Sequence, residues 1–186
     1  MGRWDESIRE ASRAVELDPF AAHSIQTLAS MYYFARQYDQ ALLHARKCTE
    51  MFPENSACYF WLTRILQAKG MYDQEVPALQ KVLTLNGEKE KDVVAPEQLY
   101  EAGGIRDVWR WEIERVKAKA ARDEFARAEL ASLYALLGER DQALGWLQKA
   151  YAGHDDVMYS IKTDPNFDSL RSDPRFQGIL RRMNFP

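Results

Sequence analysis

The stretch that decides the fold is residues 56–89, SACYFWLTRILQAKGMYDQEVPALQKVLTLNGEK, because its marker residues recur every 34 positions along the chain. Glycine recurs at Gly2, Gly70, Gly104 and Gly138, with Arg36 in the intervening place. Two further registers repeat at the same interval: Asp5, Asp39, Asp73, Asp107 and Asp141; and Tyr32, Leu66, Tyr100 and Tyr134. A period of this length is typical of a helix–turn–helix unit that stacks into a solenoid.

Within each unit the pattern predicts two antiparallel helices. In residues 22–35, Ile25, Leu28 and Tyr32 share one helical face. We expect Asp39 to cap the second helix, which Pro53 ends. Pro77 is predicted to lie in the first turn of its helix, where a missing N–H costs nothing.

The predicted fold is all-α, a right-handed α-solenoid of antiparallel helix pairs with a short helical C-terminal cap. Residues 1–157 form the array, and residues 158–186 form the cap. The array comprises a half repeat 2–19, repeats 22–55, 56–89 and 124–157, and a degenerate repeat 90–123. Helices are expected near 4–17, 21–35, 39–51, 55–69, 73–85, 96–102, 105–121, 124–137 and 140–152.

The repeat 90–123 departs from the pattern in two ways. Pro96 is predicted to interrupt its first helix. Trp109 stands where other repeats carry Ala41, Glu75 and Ala143. Since interiors are closely packed, we expect this indole to change how the two helices cross.

The two ends of the chain carry their own signals. Asp164-Pro165-Asn166-Phe167 and Asp173-Pro174-Arg175-Phe176 each place proline after an N-cap, which predicts two short helices that close the core. Phe167, Leu170, Phe176 and Leu180 should be buried against the repeat 124–157. At the other end the chain begins half-way through a repeat. We therefore expect self-association through residues 4–17, by an apolar face comprising Trp4, Ile8, Ala11 and Val15.

The chain resembles tetratricopeptide repeat proteins, on the registers above. The stretches 143–151 and 161–176 are similar to the C-terminal end of repeat regions in large bacterial signalling and transcription-regulatory proteins. Those proteins carry a winged-helix, kinase or cyclase domain. The resemblance implies a sensory or scaffolding module.

In this fold the first helix of each repeat lines a concave groove. The candidate partner-binding residues are His23, Gln26, Ser30, Tyr33, Phe34, Phe60, Arg64, Gln67, Gln98 and Glu101, followed by Ala128 and Ser132 in the last repeat. Aromatic and amide groups suit an extended or helical peptide. The alternative is that Tyr33, Phe34 and Phe60 pack between repeats. The paired lysines and asparagines of a carboxylate-binding groove are replaced here by Gln26, Ser30, Phe60 and Arg64.

Catalysis finds little support in the sequence. His23, His44 and His154 have no metal-ligand spacing, and no nucleotide-binding or hydrolase motif occurs. Asp155 and Asp156 are interpreted as a cap and solvated turn. The expectation is no enzyme, no metal and no cofactor.

Composition and charge narrow the classes of function that the chain can have. The formal net charge is −3, and 46% of residues are hydrophobic. Residues 105–122 are locally basic, so nucleic-acid contact remains an alternative, although helical surfaces often carry such charge. Nothing predicts a membrane span. Cys48 and Cys58 are expected to be buried, reduced thiols, consistent with a cytoplasmic protein–protein interaction scaffold that binds a peptide or partner protein. The alternative function is a regulatory domain that binds a small ligand or nucleic acid.

Overall fold

The computed structural model describes residues 4–118 and 124–184, and every regular element in these ranges is a helix. The α-helices are α1 (Trp4–Leu17), α2 (Ala22–Phe34), α3 (Tyr38–Met51), α4 (Ser56–Ala68), α5 (Tyr72–Leu85), α6 (Glu90–Gly103), α7 (Ile105–Lys117), α8 (Glu124–Leu137), α9 (Arg140–Ala152) and α10 (Pro174–Arg182). Two 3₁₀-helices lie at Asp156–Ser160 and Pro165–Leu170. The prediction of an all-α fold is confirmed.

Consecutive helices pack as pairs, α2 with α3, α4 with α5 and α8 with α9. The 34-residue period of the sequence reflects the backbone conformation of the turn between the two helices of each repeat. Gly70, Gly104 and Gly138 have φ of 68°, 79° and 79°, and Arg36 has φ of 64°. A left-handed residue therefore separates the helices at each interval, and glycine adopts this conformation without a Cβ clash.

The chain divides into two compact units, residues 1–102 and 103–186. Unit 1 thus contains α1–α5 and all but the last residue of α6. Unit 2 contains α7–α10 and the 3₁₀-helices. The division falls inside the predicted degenerate repeat. The predicted boundary between array and cap, at residues 157 and 158, remains a prediction.

The prediction that Pro96 interrupts its helix is wrong. Helix α6 runs from Glu90 to Gly103, and Pro96 is buried within it. The register explains this burial, since Pro96 occupies the place of Leu28, Leu62 and Leu130. Pro77 was also misplaced, because it is the sixth residue of α5 and lies beyond the first turn.

The periodic aspartates are not the N-cap residues. Gln37, Met71 and Glu139 are the N-caps of α3, α5 and α9, with no side-chain cap hydrogen bond. Asp39, Asp73 and Asp141 instead stand second in their helices. A carboxylate in the first turn is favoured there by the helix dipole.

Trp109 is buried on α7. Ala41, Glu75 and Ala143, which take the same register position in the other repeats, are also buried. One position therefore faces a core in all four repeats despite side chains of very different size. Helix α7 ends at Lys117, and the predicted extension to residue 121 falls largely outside the described residues. The expected change of crossing angle remains a prediction.

The predicted apolar face of α1 is less exposed than the sequence indicated. Ala11 is buried, and Trp4, Ile8 and Val15 are partly buried. The Trp4 ring stacks on Phe34 at 6.2 Å between centroids, and α1 packs on α2. The prediction that these four residues form an exposed face is therefore wrong.

The C-terminal segment, residues 156–184, follows the register of one further repeat. Its 3₁₀-helices fall one period after α8, and α10 begins one period after α9. Asp164 accepts from the Asn166 amide at 3.0 Å and Asp173 from the Arg175 amide at 2.8 Å, so both predicted Asp-Pro caps are confirmed.

The core predicted for this segment is also confirmed. Phe167, Leu170, Phe176 and Leu180 are buried. The segment packs on α8 and α9. Two contacts span one period, from Asn166 Nδ2 to Ser132 Oγ at 2.5 Å and from Arg175 Nη1 to Asp141 Oδ1 at 2.7 Å. The segment therefore closes unit 2.

A buried ion pair fixes the turn after α9. Arg127 Nε donates to Asp155 Oδ2 at 2.8 Å, and Nη2 bonds to Oδ1. The Asp155 side chain is fully buried, so the prediction of a solvated turn is wrong for it. Gly153 has an ordinary φ of −80°, yet a Cβ there would lie 2.8 Å from both Arg127 and Asp155. A side chain at residue 153 would have to shift the ends of the Arg127 and Asp155 side chains.

Candidate functional site

The candidate groove residues of unit 1 lie on three helices. Helix α2 carries His23, Gln26, Ser30, Tyr33 and Phe34; α4 carries Phe60, Arg64 and Gln67; and α6 carries Gln98 and Glu101. Helices α2 and α4 pack against one another. The structure brings four of these residues together, Tyr33, Phe34, Phe60 and Arg64.

Tyr33 and Arg64 form the centre of this cluster. Arg64 Nη2 donates to the Tyr33 hydroxyl at 3.0 Å, and the guanidinium carbon lies 5.3 Å from the Tyr33 ring centroid. It also lies 5.8 Å from the Phe60 ring. Arg64 is thus held between two rings, where cation–π attraction adds to the hydrogen bond.

Trp61 connects the aromatic rings. Its ring meets Tyr33, Phe34 and Phe60 edge-on, with centroid separations of 5.9, 5.9 and 5.6 Å. Edge-to-face geometry is a favoured arrangement of aromatic pairs. These contacts order the rings before any partner arrives, which lowers the entropy cost of binding.

The four clustered residues differ in exposure. Tyr33 is 0% exposed and belongs to the core, as the packing alternative predicted for it. Phe60 is 44% exposed, while Phe34 and Arg64 are partly buried. The accessible surface of the cluster is therefore Phe60 with the rims of Phe34 and Arg64.

Gln26 connects the candidate groove to the cysteines. Its amide donates to Asn55 Oδ1 at 3.2 Å and to Cys58 Sγ at 3.4 Å. Asn55 in turn caps α4 by accepting from the Ala57 amide at 3.0 Å. Gln26 thus fixes where α4 begins.

The expectation of reduced thiols is wrong. Cys48 and Cys58 form a disulfide between α3 and α4, with the Cα atoms 5.5 Å apart. Both residues are buried beside Ile25. The Cα separation lies within the range that a disulfide requires.

The other candidates do not join the cluster. Ser30 is buried and donates to the Thr27 carbonyl at 2.8 Å, so its hydroxyl serves its own helix. Gln67 donates to Glu75 Oε1 at 3.2 Å. His23, Gln98 and Glu101 are exposed.

In unit 2 the corresponding positions are covered by the chain itself. Ala128 and Ser132 on α8 are buried, and Ser132 bonds to Asn166 in the second 3₁₀-helix. The C-terminal segment therefore covers these two predicted groove positions. The accessible candidate site belongs to unit 1.

Sequence reasoning missed Trp61 and the disulfide, and it did not place Trp4 beside Phe34. Trp61 has no periodic signal, because Thr27, Ala95 and Glu129 occupy its register. The disulfide has no periodic signal either. Cys48 shares its register with Ala14 and Val82, and Cys58 shares its register with Ser24 and Asp92. Since α3 and α4 pack together, these two positions meet at the junction between repeats.

Two cations of the basic segment form ion pairs within α7. Arg110 pairs with Asp107 at 2.8 Å and Lys117 with Glu114 at 2.6 Å. Arg106 donates to the Leu137 carbonyl at 2.9 Å. These contacts favour the interpretation of a solvated helical face over a nucleic-acid surface.

The aromatic side chains of the candidate site can stack on a partner, and its polar side chains can donate and accept hydrogen bonds. In the ranges 4–118 and 124–184, no three potential ligands among His, Cys, Asp and Glu gather as a metal site would require. Nor does any described helix combine the length and apolar character needed to cross a membrane.

No protein-family model matches the chain, and no curated protein matches it.

Proposed function

We propose that the chain is a tetratricopeptide-like scaffold that binds a peptide segment of a partner protein on the α2–α4 surface of unit 1. The observation that carries this proposal is the ordered cluster around Trp61. It presents a partly exposed phenyl ring, Phe60, beside a positioned guanidinium, Arg64. Aromatic and arginine side chains are the residue types that most often dominate protein interfaces.

The repeat architecture supports the finer assignment. Left-handed residues recur at the period of the sequence, and helix pairs pack consecutively along each unit. The similarity of the C-terminal stretches to bacterial signalling proteins extends the proposal to a sensory module without catalytic activity or cofactor. The disulfide bears on the compartment, since such bonds persist mainly in oxidising environments. The disulfide therefore argues against the cytoplasmic assignment.

The test is selection of peptides from a random display library on the immobilised chain, followed by titration of the selected peptides. Phe60→Ala should weaken binding at least tenfold, because it removes the exposed ring. Leu43→Ala is the matched control, since Leu43 is 60% exposed on α3, outside the surface. Tyr33 is unsuitable, because its truncation would open the core. Equal affinities for the Phe60→Ala variant and the original chain would refute the proposal.

The alternative function, a domain that binds nucleic acid, predicts a different result. Binding to phosphates weakens steeply as salt concentration rises. Titration of a single-stranded and a double-stranded oligonucleotide at two salt concentrations should show no specific binding if the scaffold proposal holds.

A further inference from the structure

The Cys48–Cys58 disulfide lies where three helices of unit 1 converge. It joins α3 to α4, and both of its sulfur atoms also contact α2. Cys48 Sγ lies 3.9 Å from the Ala22 carbonyl oxygen, and Cys58 Sγ accepts from Gln26 Nε2 at 3.4 Å. The surface of the proposed function is built on α2 and α4, so the disulfide adjoins both of its helices.

Helix α4 connects the disulfide to the aromatic rings of that surface. Asn55 caps its first turn, and the Gln26 amide that contacts Cys58 Sγ also donates to Asn55 Oδ1 at 3.2 Å. Cys58 lies in this first turn, and Phe60 and Trp61 follow it in the same helix. Trp61 comes three residues after Cys58 and therefore lies on the same side of the helix. A shift of the first turn of α4 should thus reach both rings.

The disulfide is enclosed by the core. Cys48 and Cys58 are 1% and 0% exposed, and they pack beside Ile25 of α2. Two thiols that are not bonded must lie a van der Waals contact apart, which is further than two bonded sulfurs. Because interiors are closely packed, this room has to come from movement of the surrounding helices. Reduction also gives Cys48 a thiol proton, which can be donated to the nearby Ala22 carbonyl.

We propose that this disulfide is a redox switch that controls peptide binding on the α2–α4 surface. The inference rests on the proposed function and adds its regulation. The oxidised chain holds the rings around Trp61 in the ordered arrangement that binds a peptide. The reduced chain binds more weakly, because its rings have to be ordered at an entropy cost when the peptide arrives.

The switching step is an exchange with a dithiol reductant. The sulfur–sulfur bond of Cys48 and Cys58 breaks, and each sulfur gains a proton. The dithiol supplies the two electrons and the two protons and closes into its own disulfide. Since a thiolate must reach one of the buried sulfurs, the exchange requires local opening of the junction between α3 and α4.

The coupling between the disulfide and the surface is reciprocal. The factor by which oxidation strengthens peptide binding is the factor by which a bound peptide favours the oxidised chain. A disulfide that only stabilised the fold would not respond to the peptide in this way. The redox equilibrium therefore gives a measurement that separates a switch from a structural crosslink.

The first test compares the two redox states of the whole chain. Display selection is carried out on the chain without reductant and, separately, with dithiothreitol, and the selected peptides are titrated against both states. We expect binding to weaken on reduction by roughly fivefold or more, the lower end of the coupling usual between linked sites, and to recover on reoxidation. The double change Cys48→Ala and Cys58→Ser should bind as weakly as the reduced chain and should not respond to dithiothreitol.

The second test measures the oxidised fraction in a glutathione buffer, by alkylation of free thiols and mass spectrometry. Saturating peptide should shift the ratio of oxidised to reduced chain by the same factor as the affinity. In Phe60→Ala, which lacks the exposed ring, the same peptide concentration should leave the ratio unchanged.

The outcomes distinguish the switch from the proposed function. Equal affinity of the two states, with the helical circular dichroism retained, would overturn the switch and leave the proposed function standing. A reduced chain that loses its helical spectrum would also overturn it, because the disulfide would then be a structural crosslink. Failure to select a peptide on either state would refute the proposed function, and the switch with it.

Discussion

At the residue scale, charged and ionisable side chains are tuned by very local contacts. Asp173 accepts hydrogen bonds from the Arg175 side chain and amide, and these hold its pKa at about 2. The hydrogen bonds of the Arg175 side chain to Asp173 and then to Asp141 raise the pKa of its guanidinium. His44 shows the opposite influence, because burial, and then the nearby Lys47, lower its pKa. The pKa shifts of Asp173 and Arg175 favour the charged forms of both side chains, and the pKa shift of His44 favours its neutral form.

Removing the Arg175 side chain should therefore raise the pKa of Asp173 from about 2 towards the ordinary 3.8. Because the carboxyl pKa is lowered on folding, its contribution to stability is present above pH 3.8 and is lost as the pH falls towards 2. NMR titration of the Asp173 carboxyl in Arg175→Ala measures the change. An unchanged Asp173 pKa in the variant would show that the Arg175 side chain does not hold it down.

His44 predicts a second pH dependence, below pH 6.5. Its ring stacks on Tyr32 with centroids 5.4 Å apart. Because its pKa is lower in the folded chain, the unfolded chain takes up the proton first. The His44 contribution is present above pH 6.5 and decreases as the pH falls through the folded pKa. Lys47→Met should raise the His44 pKa, as measured by titration of the imidazole protons. No change would assign the effect to burial alone.

At the element scale, terminal and junction contacts hold the helices in register. Phe176 of the C-terminal segment is completely buried within unit 2. The disulfide joins α3 to α4, where two helix pairs meet. Neither the burial of Phe176 nor the disulfide follows from the 34-residue period alone. The residues concerned nevertheless lie at register positions of the repeats.

Phe176→Ala should destabilise unit 2 by roughly 3–5 kcal/mol, because it leaves a cavity where a buried ring was. Chemical denaturation followed by near-ultraviolet circular dichroism measures the loss. The matched control is Phe125→Ala, since Phe125 is 63% exposed in the same unit. Similar losses in the two variants would show that the C-terminal segment contributes little to the core.

The disulfide should stabilise unit 1 by about 3 kcal/mol, the loop-closure value for so short a loop. The double change Cys48→Ala and Cys58→Ser tests this with residues that the chain uses itself, at Ala150 and Ser24 in the same registers. The free energy of unfolding, measured for the variant and for the reduced original chain, should fall by similar amounts. An unchanged value in both would mean that packing alone holds the junction.

At the scale of the whole molecule, the two compact units expose few large apolar side chains. Leu17 and Phe20, close to one another at the end of α1, are 79% and 78% exposed. Self-association through residues 4–17 stays a prediction, and we now expect it to include the C-terminal end of α1 and the loop that follows. An exposed apolar pair of this kind favours association between copies.

The double change Leu17→Asp and Phe20→Asp should lower the apparent mass of the chain at high concentration, as measured by light scattering. Leu43→Asp is the control, since Leu43 is a single exposed leucine on another helix. A strictly monomeric original chain at millimolar concentration would contradict the prediction.

The sequence predicted most helices because the periodic registers mark both the turns and the core faces. It failed at α6, where proline was taken for a helix breaker although its register is that of a core leucine. It also failed at Tyr33, whose exposure depends on which neighbours surround it. Trp61 and the disulfide arise from contacts between repeats, and these are set by packing rather than by the period.

Gly153 carries a consequence for the evolution of this chain. A Cβ at that position would lie 2.8 Å from both Arg127 and Asp155, so the ends of one or both side chains would have to shift. We therefore expect the three positions to vary together in related sequences. Where residue 153 has gained a side chain, the arginine and the aspartate should have been replaced by uncharged residues in the same lineage.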